Sequence, residues 1–488
     1  MAVMRFPLWL MCAVVATACS TSDSNNDAGP DVDTRPPTPP EWDRPVTRPD
    51  DGQAATDRAA CKFGRGTLAG ETLGASTPIE GDIPIETIVV VVMENHSFDN
   101  YFSMLGQYTN RTDIEVAPPG ATNPTTITAA DAGADASPTL VPTQHAPHLC
   151  TLDTAHAWKA SHEEWDQGKM DGFVQANEEG TPLGAGERAM YYWDQTDLPF
   201  YYALSSTFAI GDHYHAAVLG PTWPNRMYTY AATSFGRTTN DLPDITAYTF
   251  PDNDATILDE LEKRHVSWGL YGTSGALTIY GANILTRWGR RVTHFNSDFF
   301  ADAKAGTLPQ VAYLDTDVVS ENATNPSEHP PADIQIGQKW VSDVIHALFT
   351  SPQWGKIALF FTYDEHGGYY DHVPPPAACA PDNIAPILKP NDPTPDGFDR
   401  HGIRVPFIVV SPYAKKGFVS HVTYDHASIV RFIEAKFRVP ALTARDANAD
   451  IPTDMFDFAS APFATPPTIA EPTVDPTGQS YCQTTYPN

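Results

Sequence analysis

Residues 356–372 read KIALFFTYDEHGGYYDH. The run from Ile357 to Tyr363 is short, apolar and rich in aromatic and branched side chains, the composition of a strand covered on both faces of a sheet. It stops at Asp364 and Glu365. Carboxylates set against a core are costly unless something pairs with them, and a bound divalent cation pairs with two at once. Gly367 and Gly368 free the backbone for the sharp turn that follows.

The same pattern recurs toward the other end of the chain. Ile88 to Met93 (IVVVVM) is again a continuous apolar run, and again it stops at a polar cluster, Glu94-Asn95-His96-Ser97. In an open α/β sheet the carboxyl ends of parallel strands share one edge. Glu94, Asn95, Asp364 and Glu365 are therefore predicted to converge although the two pairs lie about 270 residues apart. Four hard oxygen donors from two strand ends suit a divalent metal. Taken singly, Glu94 also reads as the cap of a helix through Phe98 and Tyr101, and Asp364 as a plain turn residue. Val405 to Val410 (VPFIVV), halted by Ser411-Pro412, reads as a third buried strand. Helices alternate with these strands. Val341, Val344, Ile345 and Leu348 recur at helical spacing ahead of Pro352, and Ile429, Val430, Ile433 and Phe437 do so after Asp425, a good N-cap residue. Ile257 to His265 reads as a further helix before a strand from Val266 to Tyr271. The expected fold class is α/β, with helices on both faces of a mostly parallel sheet.

The chain has 488 residues and a formal net charge of −30, with 45 prolines, 32 glycines and 18% charged residues. No Lys/Arg cluster offers the basic footprint that phosphate backbones need, so nucleic acid is not an expected partner. Unbroken composition favours one large catalytic domain over residues 81–460. Arg5 precedes an apolar stretch, Phe6 to Ala18, too short to span a bilayer and ending in small residues, as a secretory signal does. Residues 1–18 are read as a lipoprotein signal peptide because Ala16-Thr17-Ala18-Cys19 resembles a lipobox; an ordinary signal peptide cleaved nearby is the alternative. A lipid on Cys19 would anchor the exported protein to a membrane. Residues 19–80, which open on Ser, Asp, Asn, Thr and Pro, are read as a structureless tether, and residues 461–488 as a surface tail. Cys61, Cys150, Cys379 and Cys482 form an even, widely spaced set that suits two disulfides in an oxidising compartment, with three connectivities open. No CxxC spacing marks a zinc site.

Four segments carry a resemblance: ETIVVVVMENHSFDNYF, GPTWPNRMY, TYDEHGGYYDHVPPP and GIRVPFIVVSPYAKKGFVSHVTYDHASIVRFIE. In order, over about residues 84–440, they resemble the signature blocks of the bacterial phosphoesterase family that contains nonhemolytic phospholipases C and a group of acid phosphatases. The resemblance implies an alkaline-phosphatase-like α/β/α sandwich and hydrolysis of phosphate esters through a covalent phospho-enzyme, assisted by one divalent metal ion of open identity. It places metal ligands at Glu94, Asn95, Asp364, Glu365 and Thr222, with Thr222 also the nucleophile. A threonine hydroxyl attacks poorly unless activated, and coordination to a metal provides that activation. His156 and His329 are implied as catalytic histidines, one protonating the leaving oxygen or standing charged beside the phosphoryl oxygens; His162 is the weaker counterpart of His156. His366 is a third catalytic candidate that either bonds phosphate or orients Glu365. Arg226 either clamps a phosphate oxygen or pairs within its own turn, and His426 serves either the site or its helix. Where relatives carry a Cys-Asp pair, this chain has Gly211-Asp212-His213-Tyr214-His215, whose extra histidines bear on the pocket or on a second metal.

The expected function is hydrolysis of phosphomonoesters or of phospholipid head-group diesters through a phosphothreonine. Two other classes stay open. One is a sulfatase or phosphonate hydrolase of the same superfold, disfavoured because Thr222 is neither of the residues, Cys or Ser, that sulfatases modify. The other is a non-catalytic, lipid-tethered surface binding module, disfavoured by the full set of ligand candidates.

Overall fold

Seven strands form the central sheet: Thr87–Met93 (β1), Ala209–Gly211 (β2), Trp268–Tyr271 (β3), Val311–Asp315 (β4), Ile357–Tyr363 (β5), Phe407–Val410 (β6) and Val419–Ser420 (β7). The structure, a computed structural model, describes residues 37–125, 138–178, 185–241, 256–272, 296–318, 320–390, 392 and 398–487. The signal peptide, Cys19 and the first part of the expected tether lie outside the described residues. The strand order is β7-β2-β6-β5-β1-β4-β3. Every neighbour pair is parallel except those of β6, which runs antiparallel to both β5 and β2. The two strands that anchored the sequence reading, β1 and β5, are central, adjacent and buried along their whole length.

The helices that matter for the site are Trp158–Trp165 (α1), Pro199–Thr207 (α2), Thr222–Ala231 (α3), Ile257–Lys263 (α4), Ile334–Thr350 (α5) and His426–Phe437 (α6). Two of the three elements expected from helical spacing begin where an aspartate caps them: Asp333 accepts from the Gln335 amide at 2.9 Å, and Asp425 from the Ser428 amide at 3.2 Å. Alternate residues of the sheet meet different helices. Phe360 of β5 and Tyr313 of β4 share a row with Val90 and touch Phe432 of α6 and Tyr230 of α3, at 5.0 and 4.4 Å between ring centres. Phe361 faces the opposite way, 5.3 Å from Tyr201 of α2. Helices therefore cover both faces, and the α/β/α layering is as expected.

One expectation needs correcting, and one direction that the sequence left open is settled. The β6 strand, expected as a third buried strand of a mostly parallel sheet, is its antiparallel exception. A parallel strand needs a crossover, and among the described residues between β5 and β6 there is no helix; the chain stays at the carboxyl edge of β5 and re-enters the sheet from there. The expected tether of residues 19–80 is structured from Pro37 onward. Asp51–Ala59 is a helix, and Trp42, Leu68, Ala69 and Leu73 are buried in the main core. Composition misled because few apolar residues suffice here: Arg438 and Arg431 of the α6 region hold this segment through Trp42 and Arg44 carbonyls and the Thr72 hydroxyl, at 2.9, 2.8 and 2.6 Å. The disulfides are Cys61–Cys379 and Cys150–Cys482, which tie both terminal segments to the core. They accord with an oxidising compartment. Among the described residues no helix is long and apolar enough to cross a membrane.

Because β6 is reversed, its entry, not its exit, reaches the carboxyl edge. Arg404 lies there, fully buried, with two bonds to Asp371 at 2.9 and 3.1 Å, one to Asp99 at 3.3 Å, and bonds to the Glu115 and Asp212 carbonyls at 2.9 and 2.7 Å. It joins the segments that follow β5, β1 and β2. Removing one partner of such a network strands buried charge. Arg404→Ala is expected to lower the unfolding free energy by about 3–5 kcal/mol in urea denaturation; a loss below about 1 kcal/mol, the worth of an exposed pair, would show that the network does not hold this edge together.

Candidate active site

Three strands deliver acids to one place. β1 ends at Glu94, β4 at Asp315 and β5 at Asp364, and the guanidinium of Arg226 lies among them. Its Nη1 donates to Asp315 at 2.8 Å, its Nε to Asp364 at 3.1 Å, and its Nη2 to the Val92 and Met93 carbonyls at 3.3 and 3.2 Å, with Glu94 Oε1 3.6 Å away. Arg226 thus pairs within the fold and does not clamp a phosphate oxygen. Thr222 is the first residue of the same helix, one turn before Arg226, so both project from one face. The arginine therefore fixes the threonine at the edge where the acids gather.

The turn after β5 is shaped by its neighbours. Asn95 has a φ of 69°, a left-handed conformation that asparagine tolerates better than most residues. Its backbone presses on Gly367, where a Cβ would come 2.2 Å from the Asn95 carbonyl oxygen; a Cβ on Gly368 would come 2.3 Å from that of Ala155. The glycine pair thus lets the MEN segment and the His156 segment close on the turn from two sides. Glu365 is oriented by the Gly367 amide at 2.7 Å, and Asp364 by the Glu365 amide at 2.8 Å. Burial raises the Asp364 carboxyl to about 8, with Arg226 pulling down and Glu365 and Glu94 adding to the rise. Burial also raises Glu94.

His156 and His329, both largely buried, stand 5.7 Å apart and edge to face. Each Nδ1 donates to a backbone carbonyl, of Thr154 at 2.8 Å and of Pro330 at 2.6 Å, which leaves Nε2 for the recess. His156 Nε2 is 3.5 Å from Asn95 Nδ2 and 3.9 Å from Glu365 Oε1. Burial opposes charge on His156, but Glu365 and Asp153 outweigh it and raise the imidazole to about 9. Asp153 and Glu94 raise His329 likewise. Of the two readings of His366, its contacts match the one in which it orients Glu365. It is buried with Nε2 on Glu164 at 2.7 Å and Nδ1 3.4 Å from Glu365, so both ring nitrogens are occupied and the residue positions Glu365. His426 donates to the Asp364 carbonyl at 2.7 Å and steadies the strand end, while His162 bonds the Trp158 carbonyl within α1 at 2.7 Å. Of the unusual histidines, His213 lies 3.6 Å from Glu115, and His215 is buried with Nδ1 on the Gly402 carbonyl at 2.9 Å; their partners are not the strand-end acids.

Asn95 Oδ1 and Glu365 Oε1 are buried and accept no hydrogen bond. Buried acceptors without donors are rare and destabilising. Around them Glu94, Asp315, Asp364 and Glu365 bring more negative charge than Arg226 balances. Oxygen donors with surplus negative charge suit a hard divalent cation. Glu94, Asn95, Asp364, Glu365 and Thr222 are the residues that would hold it, Asp364 while sharing one oxygen with Arg226. Among the described residues, Asp153, His156 and His329 bring one ligand atom each to within 4.8 Å of one another, as do Asp99, Asp371 and His372, and the more exposed His145, Asp194 and Asp197; the strand-end acids are not spaced so closely.

Sequence reasoning missed Asp315, Asp153, Glu164 and Glu328. Asp315 was legible, since VAYLD repeats the pattern of an apolar run ending in an acid. Glu328, next to His329, receives the hydroxyls of Tyr101, Tyr201 and Tyr363 at 2.7, 2.5 and 2.6 Å, tyrosines from separate parts of the chain that no local pattern joins.

An α/β protein with acids, an asparagine, a threonine and paired histidines gathered at the carboxyl edge of its sheet is built as a hydrolytic enzyme. A family model described as the phosphoesterase family matches residues 85–440. The chain is 34% identical over 407 residues to non-specific phospholipase C1 of Arabidopsis thaliana, covering 78% of this chain and 72% of that protein. It is 31% identical over 459 residues to phospholipase C B of Mycobacterium tuberculosis, covering 86% of each. Among solved structures it is similar to a protein in the alkaline phosphatase superfamily from Vibrio parahaemolyticus, with a TM-score of 0.35 and 9% identity over 84% of this chain and 81% of that one. The chain belongs to the phosphoesterase family, and it is a hydrolase acting on phosphoric esters.

Two outcomes test this geometry. Gly367→Ala places a Cβ against Asn95 at a φ of 64° and is expected to cut turnover by about 100-fold through misplacement of Glu365, with the fold retained; unchanged turnover would show that the turn tolerates the shift. Burial outweighs the three tyrosines and raises Glu328 to about 8, against about 4.3 when unfolded. The folded state then holds the proton more tightly, a stabilisation complete below a pH of about 4 and lost as pH rises toward about 8. Relative to Glu328→Gln, the wild type should lose stability from roughly pH 5 to pH 8 in denaturation curves, and parallel curves for the two chains would contradict a buried proton at this position.

Proposed function

We propose that the protein is a phospholipase C-type phosphodiesterase that cleaves phospholipid head-group esters through a phosphothreonine at Thr222. The observation that carries the reading is the placement of Thr222 one helical turn before Arg226, which grips the ends of β1, β4 and β5. The phospholipase C relatives named above favour a diester over a monoester. A divalent cation held by Glu94, Asn95, Asp364, Glu365 and Thr222 would lower the pKa of the threonine hydroxyl and offset charge on the phosphoryl oxygens.

The chain's own residues supply the rest. Thr222 Oγ1 gives up its proton to solvent and attacks phosphorus in line with the departing glycerol oxygen, so that the P–O bond to diacylglycerol breaks as the bond to threonine forms. Of His156 and His329, whose charged forms nearby carboxylates favour, one gives its Nε2 proton to the departing oxygen and the other bonds a phosphoryl oxygen. Water then attacks the phosphothreonine, returning the threonine and releasing the phosphorylated head group. His366 and Glu164 hold Glu365 in place throughout. A small cleft is lined by Trp158, His162, Trp165, Val218, Leu219, Phe398, Asp399 and Arg400, and Trp158 of its wall packs beside Gly220, two residues before Thr222. Upstream, the exported chain carries a lipid on Cys19.

Purified enzyme assayed on p-nitrophenylphosphorylcholine and p-nitrophenyl phosphate tests the reading. The diester should be the better substrate. Thr222→Ala should lose about 10³-fold or more in kcat while keeping its fold and bound metal; chelation should abolish wild-type turnover and added divalent metal restore it. Near-normal turnover by Thr222→Ala would remove the nucleophile assignment. Preference for the monoester would make the protein a phosphatase instead.

A further inference from the structure

Three of the large apolar side chains exposed among the described residues fall in one short stretch, NIAPILKP at 383–390: Ile384 is 41% exposed, Ile387 65% and Leu388 36%. The backbone here is firmly held. The Ile387 amide donates to the Gly236 carbonyl at 2.7 Å, and the Thr238 hydroxyl donates to the Ile387 carbonyl at 2.6 Å. Asp382 accepts from the Ile384 amide at 2.8 Å and from the Thr233 hydroxyl at 2.6 Å. Gly236 leaves room for the stretch to close down, since a Cβ there would lie 2.8 Å from the Ala385 carbonyl oxygen. Cys379, just upstream, is fastened to Cys61. A floppy loop shows apolar side chains only part of the time; this one presents them on a fixed ridge.

The ridge is wired to the nucleophile helix. The chain leaves α3 and returns along it, so that Asn240 Oδ1 accepts from the Trp223 amide, beside Thr222, at 2.9 Å. The next residue, Asp241, pairs with Lys389 at 3.0 Å. Four links thus connect the apolar stretch to the nucleophile helix, through Leu388, Lys389, Asp241, Asn240 and Trp223.

We infer that the Ile384–Leu388 ridge inserts into the surface of a zwitterionic phospholipid bilayer and so presents the Thr222 recess to lipid head groups. This deepens the phospholipase C reading and rests on it. Fixed aliphatic side chains bind a bilayer interface by burying apolar area. The charge of −30 selects among surfaces: an anionic membrane repels this protein, whereas a zwitterionic one lets a small apolar ridge decide. The single cation of the ridge, Lys389, is already paired with Asp241, so it adds no attraction for anionic lipid.

The test uses the full chain in a Cys19→Ser background, which removes any contribution from a lipid anchor. That chain should co-sediment with phosphatidylcholine vesicles. Adding Ile387→Asp should weaken vesicle binding about tenfold or more, and should lower hydrolysis of vesicle phosphatidylcholine by the same factor. Hydrolysis of soluble p-nitrophenylphosphorylcholine should not change, which also reports an intact fold. Ile387→Phe, which keeps the apolar surface, should bind as the parent does. No binding by the parent, equal binding by Ile387→Asp, or loss of binding by Ile387→Phe would each overturn the inference. Binding is read without turnover, so vesicle binding with no diester hydrolysis would count against the phospholipase reading and leave the ridge standing.

Discussion

One guanidinium organises the carboxyl edge. Arg226 is buried and binds two carboxylates, approaches a third and takes two backbone carbonyls, and these partners belong to three different strands. Three acids buried side by side would repel one another and lose their hydration. A single cation with donors in a fixed planar fork answers several of them at once, which a lysine does not do. The order of dependence follows. The sheet brings the acids together, the acids hold the arginine, the arginine fixes the orientation of α3, and α3 presents Thr222. The compensation stays incomplete, because Asn95 Oδ1 and Glu365 Oε1 keep unused lone pairs. The fold thus carries a local instability aimed at one ligand class, the situation in which buried polar groups signal function.

Around that centre, positioning residues are almost as numerous as reacting ones. His366 bridges Glu164 and Glu365, His426 grips the Asp364 carbonyl, and Arg404 binds the loops that follow three strands. Glu328 gathers three tyrosines immediately before His329. Each removes freedom from a neighbour that faces the recess. This explains why a pair of glycines appears in the middle of such a constrained region: when side chains and backbone from three segments close on one turn, only residues without a Cβ leave space for them.

What the sequence disclosed, and what it hid, follows from how local each signal is. β1 and β5 were legible because a strand buried on both faces is written as an uninterrupted apolar run, and their terminal acids stood out against it. The helices of α5 and α6 were legible from spacing and an aspartate cap. The direction of β6 was not, because VPFIVV reads alike either way and the connection decides. The three residues of β2 are too few to show a period. Glu164 sits among other polar residues, and only tertiary contact with His366 gives it a role, while Asp153 meets His156 three residues on in an irregular segment that has no period to read. The stretch before β1 looked structureless by composition, yet two arginines and a disulfide from distant positions hold it. The opposite holds for Arg226, whose two readings, phosphate clamp or internal pair, the sequence left equal and three-dimensional neighbours decided.

The charge of the protein poses a last constraint on the proposed chemistry. A chain at −30 repels anionic esters at long range, yet its recess is meant to receive a phosphate diester. Screening confines the repulsion: at physiological ionic strength the Debye length is about 8 Å, so only charges near the recess act on a bound group. Those are the acids Glu94, Asp315, Asp364 and Glu365, which a divalent cation would answer, set against the imidazoles of His156 and His329, raised by their carboxylate neighbours, and the amino end of α3 at Thr222, where the helix dipole favours an anion. A zwitterionic head group carries no net charge and meets little of what repulsion survives screening, whereas a free dianionic monoester meets more of it. With the site acids answered by a bound cation, the bulk acidity acts as the filter, one that admits a neutral lipid held at a surface more readily than a small soluble anion.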